Sequence, residues 1–266
     1  MTESPAFSRI DAAAVSPVQI LKLVLGALGA TAVIGLTIEA LQSAAEYGRL
    51  VTDPVFAGVG IARGDAHIVM VIPGFLGNDH YLETLRGWLR RIGYTPLASE
   101  LSRNTGFKRE ILEHLEQRAL AAAQTSGTSI SLIGHSLGGV YARAIARRNP
   151  ATVRQIVTLG SPLSLDNGPV PVPFTAIYSR ADRIVRYPRA LADDADAANV
   201  EAGGCHVGMA FNAAVYHVIA AALSAAAGAR TASITLHERV QKDSNLGDLP
   251  VVMKYGQVVR NLDRQG

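Results

Sequence analysis

The strongest indication of the fold lies in residues 129–139, Ser129-Ile130-Ser131-Leu132-Ile133-Gly134-His135-Ser136-Leu137-Gly138-Gly139. Its first half is a β-branched and aliphatic run of the kind that forms a buried strand. Gly134-x-Ser136-x-Gly138 follows, and the residues after it have helical spacing up to Pro150. The sequence therefore predicts a strand, a sharp turn lined by glycines and a helix, with Ser136 at the turn.

A strand, Gly-x-Ser-x-Gly and a helix in this order are typical of a nucleophile elbow. The glycines are needed because the turn holds Ser136 in a strained conformation, in which bulky neighbours would clash. Its hydroxyl then stands at a helix N-terminus, where the dipole favours a developing negative charge. The alternative is a glycine-rich turn with an incidental serine. The flanking strand and helix favour the elbow.

Composition limits the classes of function. The 266 residues suit one α/β domain with some extra chain, and the net charge is only +3. Because no dense Lys/Arg tract with interleaved aromatic residues occurs, a nucleic-acid partner is not expected. The single cysteine, Cys205, excludes an intrachain disulfide and a cysteine-based metal cluster. We expect neither a metal nor an organic cofactor.

The N-terminal part, residues 1–61, contains a hydrophobic helical segment and a connector. The run from Leu23 to Ile38 has no charge, but it is shorter than the roughly 20 residues that a spanning helix needs. Two interpretations stay open: membrane association through about residues 18–46, or a helix packed on the domain or on a second subunit. The expected location is accordingly cytoplasmic or membrane-associated. We expect residues 47–66 to be irregular.

From residue 62 to residue 228, strand-like and helix-like stretches alternate, which predicts a mostly parallel sheet with helices on both faces. The last helix is expected from Ala213 to Ala227. Residues 229–266 form a tail to which we assign no role. Only residues 160–173 connect the strand after the elbow helix to the next strand, too few for a helical lid. We therefore expect an open, shallow site.

Sites in open α/β sheets lie beyond the carboxyl ends of the strands. Ser136, Asp182 and His206 are expected there, in the order that α/β-hydrolases use. Ser136 would attack a carbonyl, His206 would act as the base, and Asp182 would hold the imidazole. The backbone N–H groups of Phe75 and Leu137 would bind the oxyanion.

Other residues compete for these roles. Asp166, Asp193 and Asp194 are alternatives to Asp182 as the acid. The competing histidines are in less suitable places: His114, His135, His217 and His237. Cys205 is interpreted as a packing residue. Four arginines near the acid could favour an anionic substrate, although a solvated charged face is the simpler interpretation: Arg180, Arg183, Arg186 and Arg189.

Several motifs resemble bacterial α/β-hydrolases of the esterase/lipase type. They are Pro73–Asp79, Leu85–Tyr94, Ser102–Gly106, Gly134–Gly139, Tyr178–Val185 and His206–Asn212. The resemblance covers about residues 62–225. It implies Ser136, Asp182 and His206 as the triad, with Phe75 and Leu137 as oxyanion donors. The chain departs from lipase-like relatives in having Pro73-Gly74 where they often have His-Gly.

The expected function is that of a serine hydrolase that cleaves carboxylic esters, small or lipid, through an acyl-enzyme. A thioesterase or an acyltransferase on the same triad is a rival within this chemistry. A non-catalytic membrane or interaction protein on a hydrolase scaffold is a rival from another class. The sequence leaves acyl chain length and oligomeric state open.

Overall fold

The structure is a computed structural model and describes residues 30–165 and 168–225. Its six-stranded sheet has the order β2-β1-β3-β4-β5-β6, and every neighbouring pair is parallel. The strands are β1 (Ile68–Ile72), β2 (Thr95–Ala98), β3 (Ile130–His135), β4 (Val153–Leu159), β5 (Phe174–Tyr178) and β6 (Ala198–Glu201). The helices are α1 (Ala30–Thr52), α2 (Glu83–Arg91), α3 (Arg109–Ser126), α4 (Leu137–Arg148) and α5 (213–225).

The sheet carries a hydrophobic core on each face, because successive strand side chains point to opposite sides. In β1, Val69 and Val71 belong to one core, and Met70 and Ile72 to the other. The first core contains residues of α1, α2 and α5: Leu50, Leu85, Trp88, Leu89, Tyr216 and Ile219. The second contains residues of α3 and α4: Leu112, Leu115, Tyr141 and Ile145. The predicted parallel sheet with helices on both faces is confirmed.

The expectation that residues 47–66 are irregular is wrong in its first part. Helix α1 continues to Thr52 because Leu50 is buried in the core. A short 3-10 helix, Pro54–Ala57, follows, and the Asp53 carboxylate caps it by accepting the N–H of Val55 at 2.9 Å.

Strand β2, at the side of the sheet, ends at Ala98. The Asp79 carboxylate accepts the backbone N–H groups of Ser99 and Glu100, at 2.9 and 2.7 Å. Glu100 also has a positive φ of 59°. Residues 99 and 100 therefore leave the sheet and tie its edge to the loop after β1.

The N-terminal hydrophobic segment is described from Ala30 onward, and in this part its inner face packs on the domain. Among the helices that the structure describes, none is long and apolar enough to cross a membrane. Residues 18–29 and the tail, 229–266, lie outside the described residues. The domain boundaries near 61 and 228 stay predictions. Between β4 and β5, the described residues form one 3-10 turn, Leu163–Leu165.

Candidate active site

Ser136 lies between β3 and α4 in a conformation that side chains rarely adopt, with φ 52° and ψ −123°. Such a backbone costs on the order of 1–3 kcal/mol, which the surrounding structure must offset. The glycines of the motif make the turn possible by close approach. A Cβ on Gly134 would clash with the backbone of Gly138 and Gly139, and one on Gly138 with the Ile72 carbonyl.

Asp182 and His206 form a buried pair beyond the carboxyl ends of the strands. His206 Nδ1 lies 2.7 Å from Asp182 Oδ2, and the two residues are 4% and 3% exposed. The other carboxylate oxygen of Asp182 accepts the N–H groups of Ile184 and Val185, both at 2.8 Å. These bonds fix the carboxylate so that it accepts Nδ1–H, which leaves Nε2 as the basic nitrogen of the neutral ring.

The loop that carries His206 touches the turn that carries Ser136. His135, the residue before Ser136, has its Nε2 2.9 Å from the carbonyl oxygen of His206, and the two imidazole rings lie 5.0 Å apart. A Cβ on Gly160, which follows β4, would lie 3.0 Å from Asp182 Oδ2. The structure thus brings the three sequence-predicted residues to one edge of the sheet.

His135 is neutral and links its own turn to the loops that carry Tyr81 and His206. Burial lowers its pKa to about 3, and the neighbouring His206 adds to this effect. Because a carbonyl only accepts, Nε2 of His135 carries the proton and donates to His206. Nδ1 then accepts from the hydroxyl of Tyr81, whose own pKa is raised by burial. Both ring nitrogens of His135 are thus occupied, which agrees with its less suitable place as the catalytic base.

The segment after β1 lies directly against Ser136. A Cβ on Gly74 would be 2.9 Å from the Ser136 Cβ, so this backbone cannot carry a side chain there without a shift. Asn104, fully buried, holds the segment: its side chain donates to the Pro73 carbonyl at 2.9 Å, and its carbonyl accepts the N–H of Leu76 at 2.6 Å.

Both predicted oxyanion donors lie in this neighbourhood. Leu137 is the first residue of α4, where backbone N–H groups have no partner within the helix. Phe75 follows Gly74, and its N–H donates to no other group of the described residues. Two backbone donors therefore flank Ser136 without being used elsewhere in this part of the chain.

The competing candidates have other contacts. Asp193 and Asp194 pair with the buried guanidinium of Arg143, at 3.4 and 2.8 Å. Asp166 and His237 lie outside the described residues. His114 contacts the Ser99 carbonyl at 3.0 Å. Of the four arginines, Arg180 pairs with Glu201 at 3.1 Å, and the other three are exposed: Arg183, Arg186 and Arg189.

A second Asp-His-Ser set lies at the opposite edge of the sheet. Nδ1 of His67 is 2.5 Å from Asp65, and its Nε2 is 2.9 Å from the hydroxyl of Ser131. Ser131 is the second residue of β3 and is fully buried, and Gln155 also donates to its hydroxyl at 3.3 Å. A substrate cannot reach this serine, so the set joins strands and does not react.

Sequence reasoning did not identify the polar face of α1. Glu39, Ser43 and Glu46 are buried and contact the loop around His206. Their spacing, i, i+4 and i+7, places them on one side of a helix. This polar stripe in an apolar helix was the available signal. In the described residues, no group of three or more His, Cys, Asp or Glu side chains could hold a metal ion.

Comparisons with known proteins agree with the fold. The family model described as "PGAP1-like alpha/beta domain" matches residues 99–237, and no curated protein matches the chain significantly. Aspergillus fumigatus lipase B is similar at 16% identity and a TM-score of 0.52, over 62% of this chain and 55% of the lipase. PytH is similar at 14% and 0.50, over 60% of this chain and 98% of its own.

A monoacylglycerol lipase from Paleococcus ferrophilus is also similar, at 12% identity and a TM-score of 0.46, over 61% of this chain and 97% of the lipase. At these identities, the likeness to lipase B and to PytH, with TM-scores of 0.52 and 0.50, shows the fold alone. The family model, in contrast, covers just over half of the 266 residues. The chain therefore belongs to the PGAP1-like alpha/beta domain family.

Proposed function

We propose that this protein is a serine hydrolase that cleaves carboxylic esters, lipid esters among them, through an acyl-enzyme. The observation that carries the proposal is the buried Asp182–His206 pair, in which the His206 carbonyl is hydrogen-bonded to His135, the residue before Ser136. A buried histidine with one nitrogen on a fixed carboxylate is the arrangement that general-base catalysis by serine hydrolases requires.

In the proposed acylation step, Nε2 of His206 takes the proton of the Ser136 hydroxyl as the oxygen attacks the ester carbonyl. The carbonyl π bond becomes an oxyanion, which the N–H groups of Phe75 and Leu137 bind. His206 then gives its proton to the leaving alcohol as the carbon–oxygen bond breaks. In deacylation, water takes the place of the alcohol, and the same proton transfers release the acid and restore Ser136.

The Asp182 carboxylate supports this sequence in two ways. It holds the imidazole in the tautomer with a free Nε2, and its negative charge stabilises the imidazolium formed during attack. The two backbone donors on its other oxygen keep its orientation fixed before substrate binds. The proposed oxyanion donors are a different pair, the N–H groups of Phe75 and Leu137. Donors of this kind contribute about 3–4 kcal/mol each to transition-state stabilisation.

An apolar acyl group suits the surface next to the proposed oxyanion donors. Leu76 follows Phe75 with a positive φ of 60°, and 55% of its surface is exposed. The Phe75 side chain beside it is partly buried against the α3–α4 core. An acyl chain that covered Leu76 would gain apolar burial at about 25 cal/mol per Å².

Hydrolysis of p-nitrophenyl acyl esters of increasing chain length tests the proposal. Wild type should be active, and Ser136→Ala should reduce kcat about 10⁴-fold or more. Ser131→Ala is the matched control, because it removes a buried serine of β3 that lies beside a different histidine, His67. It should keep activity at temperatures below its unfolding transition. A well-folded wild type that hydrolyses no ester would contradict the proposal.

A further inference from the structure

Helix α1 presents a buried polar face to the loop that carries His206. Glu39, Ser43 and Glu46 are 5%, 9% and 6% exposed. Burying carboxylates costs free energy unless hydrogen bonds compensate it. Both carboxylates find their partners in the stretch from Cys205 to Asn212, more than 150 residues away along the chain. The polar face is thus matched to this loop.

The two carboxylates bind the peptide N–H groups on either side of His206. Glu46 Oε1 accepts the N–H of Cys205 at 2.8 Å, and Glu39 Oε2 accepts the N–H of Val207 at 3.2 Å. Between them, the Ser43 hydroxyl lies 3.4 Å from Cys205 Sγ. Hydrogen bonds to an ionised acceptor are about twice as strong as those between neutral groups. His206 is therefore held from both neighbouring residues.

Glu46 also fixes the end of this loop. Its Oε2 accepts from the Asn212 side chain at 3.2 Å, and Asn212 in turn accepts the N–H of Ala214 at 2.9 Å, at the start of α5. The fit is close: a Cβ on Gly208 would lie 2.5 Å from Glu46 Oε2. Movement of the Glu46 carboxylate would change the backbone on both sides of the 3-10 turn Val207–Phe211.

We infer that Glu39 and Glu46 are positioning residues for His206, which makes α1 a part of the active site. The inference rests on the function proposed above. Helix α1 precedes residues 99–237, which the family model matches, so this support comes from outside the matched part of the chain. A displacement of about 1 Å at a reacting group costs on the order of 100-fold in rate. Loss of either the Glu39 or the Glu46 carboxylate should therefore lower kcat and leave KM nearly unchanged.

Glu39 allows a sharp comparison of variants. Its Oε1 is buried and has no hydrogen-bond partner among the described residues. Glu39→Gln can keep a carbonyl oxygen on the Val207 N–H and place its amide nitrogen where no group donates. Glu39→Ala removes the acceptor. We expect Glu39→Ala to lower kcat about 10- to 100-fold and Glu39→Gln to restore most of it.

The test uses the full chain with Glu39→Ala, Glu39→Gln and Glu46→Ala, and with Gln42→Ala as the control on the exposed side of α1. Two measurements are made: kcat and KM on a p-nitrophenyl ester, and hydrogen–deuterium exchange of the peptide containing residues 205–207. The alanine variants should exchange faster there and lose kcat, while the control matches wild type. The methyl group of Gly208→Ala would displace the Glu46 carboxylate. Adding this substitution to Glu46→Ala should therefore cause little further loss of kcat.

The exchange measurement separates this inference from the proposed function, because it does not depend on activity. Alanine variants that exchange at residues 205–207 like wild type would overturn the inference, whether or not the protein hydrolyses esters. In an active enzyme, an unchanged kcat, or a loss of kcat that Gln does not restore at position 39, would also overturn it. If the alanine variants exchange faster but the protein hydrolyses no ester, the result would support the positioning of His206 by Glu39 and Glu46 and contradict only the hydrolase proposal.

Discussion

Protonation of His135 should make the fold sensitive to acid. In the folded protein both nitrogens of this buried ring are bonded in the neutral form, and its pKa is lowered to about 3 from an ordinary value of 6.5. The unfolded chain binds a proton near the ordinary value, whereas the folded state does not. The contribution of this group is therefore fully present above about pH 6.5 and is lost progressively as the pH falls toward 3.

The size of the effect follows from the two pKa values. At about pH 4.5, the pH is some two units below the pKa of His135 in the unfolded chain, while His135 in the folded state is still neutral. The free energy of unfolding should therefore fall by roughly 2–3 kcal/mol relative to pH 7.5. Glu and Asp residues add their own pH dependence. A variant without the imidazole is therefore needed to isolate the contribution of His135.

His135→Gln is the variant of choice, because a glutamine amide can donate to the His206 carbonyl without titrating. Urea unfolding at about pH 7.5 and 4.5 gives the loss of free energy of unfolding for wild type and variant, and the wild-type loss should be larger by roughly 2–3 kcal/mol. His80→Gln, at an exposed position, should behave like wild type. Equal losses of free energy of unfolding in wild type and His135→Gln would show that protonation of His135 does not make the fold sensitive to acid.

Three further predictions concern the site and its supports. Asp182→Asn should lower kcat about 10⁴-fold without unfolding the protein, because the backbone donors hold its carbonyl oxygen and turn its NH₂ toward His206, forcing the wrong tautomer; steady-state kinetics and circular dichroism check this. Gly138→Ala should lower the free energy of unfolding by about 1–3 kcal/mol, measured in urea, because its methyl group overlaps the Ile72 carbonyl. Asp65→Asn should lower the free energy of unfolding at neutral pH. Burial alone would raise the pKa of Asp65, but hydrogen bonds from His67 and the charges of His67 and Arg154 hold it at about 2. The difference in free energy of unfolding between wild type and variant should therefore fade in acid-unfolding scans as the pH drops from about 4 toward 2.

Each of these predictions has a result that would contradict it. Asp182→Asn with a kcat within tenfold of wild type would show that this carboxylate does not orient the base. A Gly138→Ala variant as stable as wild type would mean that the turn relaxes freely. A constant difference between Asp65→Asn and wild type down to about pH 2 would show that the ionised carboxylate makes no contribution there.

The fold, and the placement of the three polar residues of the candidate site at one end of the sheet, could be predicted because their signals are local. A buried strand, Gly-x-Ser-x-Gly and a helix occupy one short stretch, and its glycines stand where the backbone of β1 and α4 approaches closely. Asp182 and His206 each follow a strand, so the carboxyl edge of a parallel sheet collects them with Ser136. The parallel sheet with helices on both faces followed from the alternation of strands and helices.

The contacts of α1 could not be predicted, because their partners are far apart in sequence. Glu46 and Cys205 are 159 residues apart, and Glu39 and Val207 are 168 apart. The residues before Glu39 are apolar, so the sequence predicts a hydrophobic helix there but not the polar contacts of its last turns. The bonds of His135 were missed for the same reason, since Tyr81 and His206 lie 54 and 71 residues away.

The composition of a Ser-His-Asp set does not identify the reactive serine; geometry and access do. Ser131 has a histidine and an aspartate beside it, but it is fully buried within a strand. Ser136 has a strained turn, a helix N-terminus and two backbone donors nearby. This difference in surroundings, rather than a difference in residue types, underlies the assignment of Ser136 as the nucleophile.

Covalent labelling with a fluorophosphonate tests this assignment most directly. The protein, Ser136→Ala and His206→Gln are incubated with the reagent, and intact mass and peptide mapping locate the adduct. The assignment of Ser136 as the nucleophile predicts one adduct on wild type, at Ser136, with none on Ser136→Ala and labelling slowed by at least 100-fold in His206→Gln. No adduct on folded wild type, or an adduct that persists in Ser136→Ala, would contradict it.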